Sequence, residues 1–223
     1  MPNAAMDIRS TPVLTFRWIV FALALGYSIY HIGWNGYENW GGPFRFLTFW
    51  GLFFSTFAAA RMLATSLGRD DDSHLPIAAT AAVINTMVLF LYWRLYLIDP
   101  FLVHEKGDPG AWWNNYYLHG LGPLVQIFDA LFIARAFRAP LRAVLPILAF
   151  VLAFVVFGEL VIQTFSSTPA GSVTNGLPYP FLNNMELGDR IIYYATNAGV
   201  ALGILALFSA IAWVIRRFLP KAM

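Results

Sequence analysis

Six apolar stretches, each long enough to cross a bilayer, take up most of the chain: residues 13–32, 44–67, 75–98, 113–137, 143–165 and 189–218. A helix needs about 20 apolar residues to span the hydrocarbon. Inside lipid, every backbone N–H and C=O must be satisfied within the protein, which a helix does alone. The pattern therefore predicts an all-α fold, a polytopic membrane protein built as a six-transmembrane-helix bundle, with residues 1–223 forming one integral membrane domain. The first stretch contains Ala22-Leu23-Ala24, which resembles a signal-peptide cleavage site, but its apolar run is too long for a signal peptide.

Composition narrows the function classes. Hydrophobic residues make up 59% of the chain and charged residues 12%, against about 25% charged in a soluble domain. Such a surface cannot be clothed for water, and a net charge of +2 offers nothing to a polyanion, so nucleic acid is excluded as a partner. The absence of cysteine removes disulfides, thiolate catalysis and zinc–thiolate or iron–sulfur centres. The histidines are His31, His74, His104 and His119, and no cofactor or metal site is expected from them.

An even number of spans puts both termini on one side. Of the 14 Lys and Arg, only Arg45, Arg94, Lys106 and Arg190 fall on the opposite side. Cytoplasmic loops carry the excess of basic residues, so both termini are predicted to be cytoplasmic. The loop over residues 166–188, rich in Gly, Pro, Asn and Ser, then faces outward. Its apolar segment Pro178-Tyr179-Pro180-Phe181 is expected to pack down as a lid.

Polar side chains inside a span are costly and usually face the bundle interior. Depth follows from a rise of about 1.5 Å per residue, which puts Thr48 about 6 Å below the outer surface, His119 and Glu159 about 9 Å, and Asn197 about 11 Å. Four helices thus contribute to one layer. Asp129 lies about 15 Å deeper than His119 and is expected to pair with a cytoplasmic-side arginine. Gln126 and Gln163 read as interhelical glue, and Asn85, near mid-membrane, has no assignment.

A Thr–His layer has a chemistry. A hydroxyl becomes a nucleophile when an imidazole takes its proton, and nearby donors can hold the resulting oxyanion. Thr48 would attack an acyl group and His119 would act as base. Glu159 could orient the imidazole, and Asn197, Asn114 or Asn115 could supply an amide donor. One to two turns below the headgroups, such a site would meet the ester groups of lipid-like substrates.

Three stretches carry a resemblance: GGPFRFLTFW at 41–50, WWNNYYLHGLGP at 112–123 and NGLPYPFLNNMELGDRIIYY at 175–194. With six spans in matching order, the chain resembles the androgen-induced-gene/ADTRP family of membrane threonine hydrolases, which cleave fatty acid esters of hydroxy fatty acids, and related bacterial membrane proteins. The resemblance implies that Thr48 is the nucleophile and His119 the essential histidine. It also implies a lipid-like ester substrate among membrane lipids and, through the bacterial relatives, a bacterial inner membrane; the basic-residue asymmetry and the depth of the Thr–His layer put the site toward the outer leaflet. Where family members carry an amide or acidic side chain soon after the threonine, this chain has Trp50, Gly51 and Leu52. Two other classes compete: a haem-binding electron-transfer protein using His31 and His119, and a non-enzymatic transporter or complex subunit.

Overall fold

A computed structural model describes residues 7–34, 37–69, 74–104 and 107–218. The acidic turn at 70–72, Lys106 and Lys221 lie outside the described residues. The described residues form six long helices: α1 (Thr11–Trp34), α2 (Leu47–Ser66), α3 (Leu75–Ile98), α4 (residues 112–133), α5 (Leu141–Phe165) and α6 (Leu187–Phe218). Five of them are long and apolar enough to cross a membrane; the exception is α4. Its shortfall comes from the polar residues it brings inside, Asn114, Asn115, His119, Gln126 and Asp129.

Several boundaries differ from the sequence reading. The fourth helix ends at Ile133, not at residue 137, because Arg135 turns into the left-handed region at φ 53° and a short 3-10 turn, Ala136–Arg138, follows. The fifth and sixth helices each begin two residues earlier than expected, at Leu141 and Leu187.

α3 is the central post and packs against α2, α4, α5 and α6. The most apolar window of α3 is 61% buried, against 11% for α5 and 22% for α6. Its small residues explain the placement. Ala78, Ala79, Ala81 and Ala82 are nearly inaccessible, and in lipid, where helix association depends on close packing, small side chains let backbones approach. The outward faces are the lipid coat: Leu145, Leu152 and Leu160 of α5 are 75%, 63% and 67% exposed, at a seven-to-eight-residue spacing that marks one helix face.

At the end of the bundle that carries the turn at residues 136–143 lies a packed apolar core that includes Met62, Val83, Phe137, Ile147 and Leu205. Polar side chains tie it together. Asp129 does pair with an arginine: Arg17 Nε and Nη2 donate to its two carboxylate oxygens at 2.9 and 2.7 Å. The same guanidinium reaches Met62 O at 2.8 Å and Ser66 Oγ at 2.7 Å. A buried charge is tolerated only with this degree of pairing. The opposite end is different, because there α2, α3, α4, α5 and α6 part around an open space.

Candidate active site

α2 starts at Leu47, so Thr48 lies in its first turn, where backbone N–H groups have no partner within the helix. A transmembrane threonine usually returns its hydroxyl to the carbonyl four residues back. Thr56, Thr65, Thr80 and Thr86 do so here. At Thr48 that carbonyl belongs to Phe44 and accepts the indole N–H of Trp50 at 2.8 Å. The Thr48 hydroxyl instead meets His119, with Oγ1 and Nε2 3.1 Å apart.

The other nitrogen of His119 is held from its own helix. Nδ1 lies 2.9 Å from Oδ1 of Asn115, one turn earlier at the i, i+4 spacing that puts two side chains on one face. With the amide oxygen facing it, Nδ1 carries the ring hydrogen, and Nε2 is left as an acceptor for the Thr48 O–H. The ring is clamped from a third direction by Tyr92, stacked at 3.5 Å between centroids and 5° between planes. Tyr92 OH is in turn 2.9 Å from Nε2 of His104. Burial holds the His104 imidazole below its ordinary pKa, partly opposed by Asp108.

The backbone at His119 is itself unusual. A π turn runs over Tyr117–Leu121, and His119 adopts φ −113°, ψ 17° within it. The cause is legible: Pro123 stands four residues on and has no N–H to give the His119 carbonyl. Trp93 Nε1 donates to that carbonyl instead, at 2.7 Å. Single π turns of this kind recur at functional positions.

The pair faces a cavity of about 310 Å³. Its walls are apolar and aromatic, with Ile84, Met87, Leu91 and Leu95 along α3 and Val151 and Phe154 on α5. Polar groups are few among them. Volume and lining are those of a small-molecule pocket.

Tyr179 and Phe181 close the cavity from the loop side. Tyr179 OH accepts the N–H of Leu47 at 3.3 Å, and burial raises its hydroxyl pKa. The loop behind them is folded around Asn183, which is fully buried and bonds Pro169 O and both backbone groups of Leu177. Gly171 passes so close that a Cβ there would lie 2.4 Å from Asn183. Arg45, also buried, reaches Thr168 O and Gly176 O.

The remaining predicted site residues fall as follows. Asn197 lines the cavity, with Nδ2 bonded to its own helix at Tyr193 O, 2.8 Å. Asn114 contacts His31, Oδ1 to Nε2 at 3.0 Å, rather than His119. Glu159 requires a correction, because it does not orient the imidazole. Its carboxylate takes Arg190 through two bonds at 2.8 and 3.1 Å and the Tyr194 hydroxyl at 2.7 Å. A carboxylate in an apolar setting takes the strongest donor within reach, and Arg190 starts α6 directly opposite. The haem reading also meets an obstacle: both ring nitrogens of His119 are engaged by side chains.

Helices long and apolar enough to span a bilayer, enclosing a paired threonine and histidine beside an apolar cavity, define an integral membrane protein with a buried polar site. The chain belongs to the FAR-17a/AIG1-like protein family, whose pattern it matches over residues 12–212. No curated protein and no solved structure gave a match to the chain.

Proposed function

We propose that this protein is an intramembrane hydrolase of lipid esters, such as fatty acid esters of hydroxy fatty acids, with Thr48 as nucleophile and His119 as base. One observation carries the reading: Thr48 Oγ1 sits 3.1 Å from His119 Nε2 while Asn115 holds Nδ1 at 2.9 Å, beside an apolar cavity. That is the nucleophile–base–orienter arrangement, with an amide in the third position. Family membership is consistent with it.

The chemistry runs through this chain's own groups. His119 Nε2 takes the hydroxyl proton as Thr48 Oγ1 bonds to the ester carbonyl carbon. Charge develops on the carbonyl oxygen. The Tyr179 hydroxyl, already accepting from Leu47 N–H, turns its own hydrogen to that oxygen, as does the Thr48 N–H at the start of α2. His119 then returns its proton to the departing alkoxide, leaving an acyl chain on Thr48 in the apolar cavity. The distribution of basic residues supports a site toward the outer leaflet, and a bacterial inner membrane is the membrane we assign.

The experiment is ester hydrolysis by purified protein in detergent or vesicles. Thr48→Ala abolishes turnover and changes stability by about 1 kcal/mol or less. Thr48→Ser keeps part of the activity, and His119→Ala is about as damaging as Thr48→Ala. Normal turnover by Thr48→Ala would remove the threonine from the mechanism.

A further inference from the structure

Thr48 stands in the wall between two spaces. Beyond it from the apolar cavity lies a second chamber of about 20 Å³, lined by α2, α3 and α4 with Ala24 of α1. Thr48, Val88 and Leu118 border both spaces. The chamber is polar where the first is apolar, because Ser55, Asn85 and Gln126 line it. Ser55 is seven residues below Thr48, two turns down the same helix face and about 10 Å away.

These three side chains leave hydrogen-bonding capacity unused. Asn85 Nδ2 donates to Ser55 Oγ at 2.6 Å and to Ala81 O at 2.8 Å. A carbonyl only accepts, so the nitrogen end of the amide is fixed and Oδ1 is the other end. Gln126 Nε2 donates to the Ser55 carbonyl at 3.2 Å, which fixes that amide in the same way. Among the described residues, Asn85 Oδ1 and Gln126 Oε1 accept nothing and the Ser55 hydroxyl hydrogen has no acceptor. All three residues are buried, at 5%, 8% and 3% exposure. These groups line the chamber and are open to a partner there.

A water supplies it. A space of roughly 10–15 Å³ measured this way holds one water, which needs about three polar partners. Its two hydrogens would go to the amide oxygens of Asn85 and Gln126, and its oxygen would take the Ser55 hydroxyl hydrogen.

We propose that this chamber is a water site and that it delivers the water that frees the acyl chain from Thr48; the second half rests on the hydrolase reading above. Hydrolysis in a bilayer faces a supply problem, since an acyl chain filling the apolar cavity excludes water from that side. The chamber approaches Thr48 from the opposite side. In the releasing step a water passes from the chamber along Thr48 to the acyl carbonyl carbon in the first cavity, which His119 lines; its oxygen bonds to that carbon and one of its protons passes to His119 Nε2. The bond from that carbon to Thr48 Oγ1 then breaks, and Oγ1 takes the proton back from His119. The products are a free carboxylic acid and the Thr48 hydroxyl.

The test is pre-steady-state hydrolysis of a long-chain p-nitrophenyl ester by the full chain in detergent, with intact-protein mass read during turnover. Asn85→Leu and Gln126→Leu fill the chamber with apolar atoms of similar size. Each should release the first equivalent of p-nitrophenol at the wild-type rate. Steady-state turnover should fall roughly tenfold, the equivalent of one lost hydrogen bond, and acylated Thr48 should accumulate. Where a leucine variant does not fold, Ser55→Ala removes a single oxygen and carries the same expectation. Wild-type turnover in the variants, or equal slowing of the burst and the steady state, overturns the water site while leaving the wild-type burst and the hydrolase reading standing. A wild-type protein that turns over without ever acylating Thr48 overturns both.

Discussion

The indole of Trp93 completes the backbone of His119: its N–H lies 2.7 Å from a carbonyl that Pro123, four residues on, is unable to serve. The catalytic candidate is therefore held by a main-chain irregularity as well as by its ring contacts. Trp93→Phe keeps the ring and drops the hydrogen, leaving a buried carbonyl unmet at a cost of about 1–3 kcal/mol. Pro123→Ala is the sharper probe. It restores a helical N–H to the His119 carbonyl, relaxes the π turn and draws the imidazole away from Thr48. Activity should drop while the melting temperature holds or rises. A Pro123→Ala protein with full activity would show that the irregular turn is incidental to the site.

The orienting role of Asn115 gives a second expectation. Asn115→Leu removes the acceptor at Nδ1, frees the tautomer and should lower kcat/KM by about 10²-fold, the low end of what a positioned base contributes. Asn115→Asp keeps an acceptor oxygen in place and should recover much of that loss. Equal damage from both variants would mean that Asn115 serves packing rather than the imidazole.

How far the site was legible in the sequence depends on what helix rise encodes. Rise alone puts Thr48 and His119 at one depth, and the two side chains do meet. Depth says nothing of azimuth, which is why Glu159, at the right height, turns to Arg190 and Tyr194 instead. Arg190, at the start of the sixth stretch, counts in the sequence only toward the charge asymmetry, yet it is a buried partner in the first turn of α6. The true ring partner had a signal in plain view, since Asn115 precedes His119 by four residues. Pro123, four residues after His119, likewise marks the π turn. The six-helix architecture came from apolar length alone. The C-terminal end of α4 did not, because a left-handed Arg135 has no sequence signature comparable to glycine.

Tyr179 offers a third expectation. Tyr179→Phe preserves the apolar closure of the cavity but removes the only side-chain hydroxyl that touches the first turn of α2 among the described residues. The rate of the chemical step should fall by about 10²-fold, as for loss of one oxyanion donor, with KM little changed. A change confined to KM would assign Tyr179 to substrate binding alone.

The Arg17–Asp129 pair predicts a stability effect separate from chemistry. Asp129→Asn leaves the Arg17 charge buried with a weaker partner, and breaking such a pair costs about 3–5 kcal/mol. Replacing both, as Arg17→Met with Asp129→Leu, should return the melting temperature close to that of the wild type. Asp129 is ten residues from His119 along α4, so the folded fraction of either variant should retain normal specific activity. A double variant no more stable than Asp129→Asn would contradict this account of the pair.

His104 sets the pH dependence of stability at the mouth of the site. Burial lowers its pKa in the folded protein below the ordinary 6.5, so the unfolded chain binds the proton more readily. The contribution is fully present above about pH 6.5 and is lost as pH falls toward the folded value. His104→Leu should flatten the fall in melting temperature between about pH 7 and 5. An unchanged slope would mean that other groups carry it.

The central claim is that Thr48 acts as a nucleophile activated by His119. A fluorophosphonate probe carrying a long alkyl chain tests it directly, because the adduct is covalent and can be mapped by peptide mass spectrometry. The account predicts one adduct, on Thr48 Oγ1, formed by the wild type, lost in Thr48→Ala and strongly slowed in His119→Ala. An adduct on another residue, or unchanged labelling of Thr48→Ala, would contradict it.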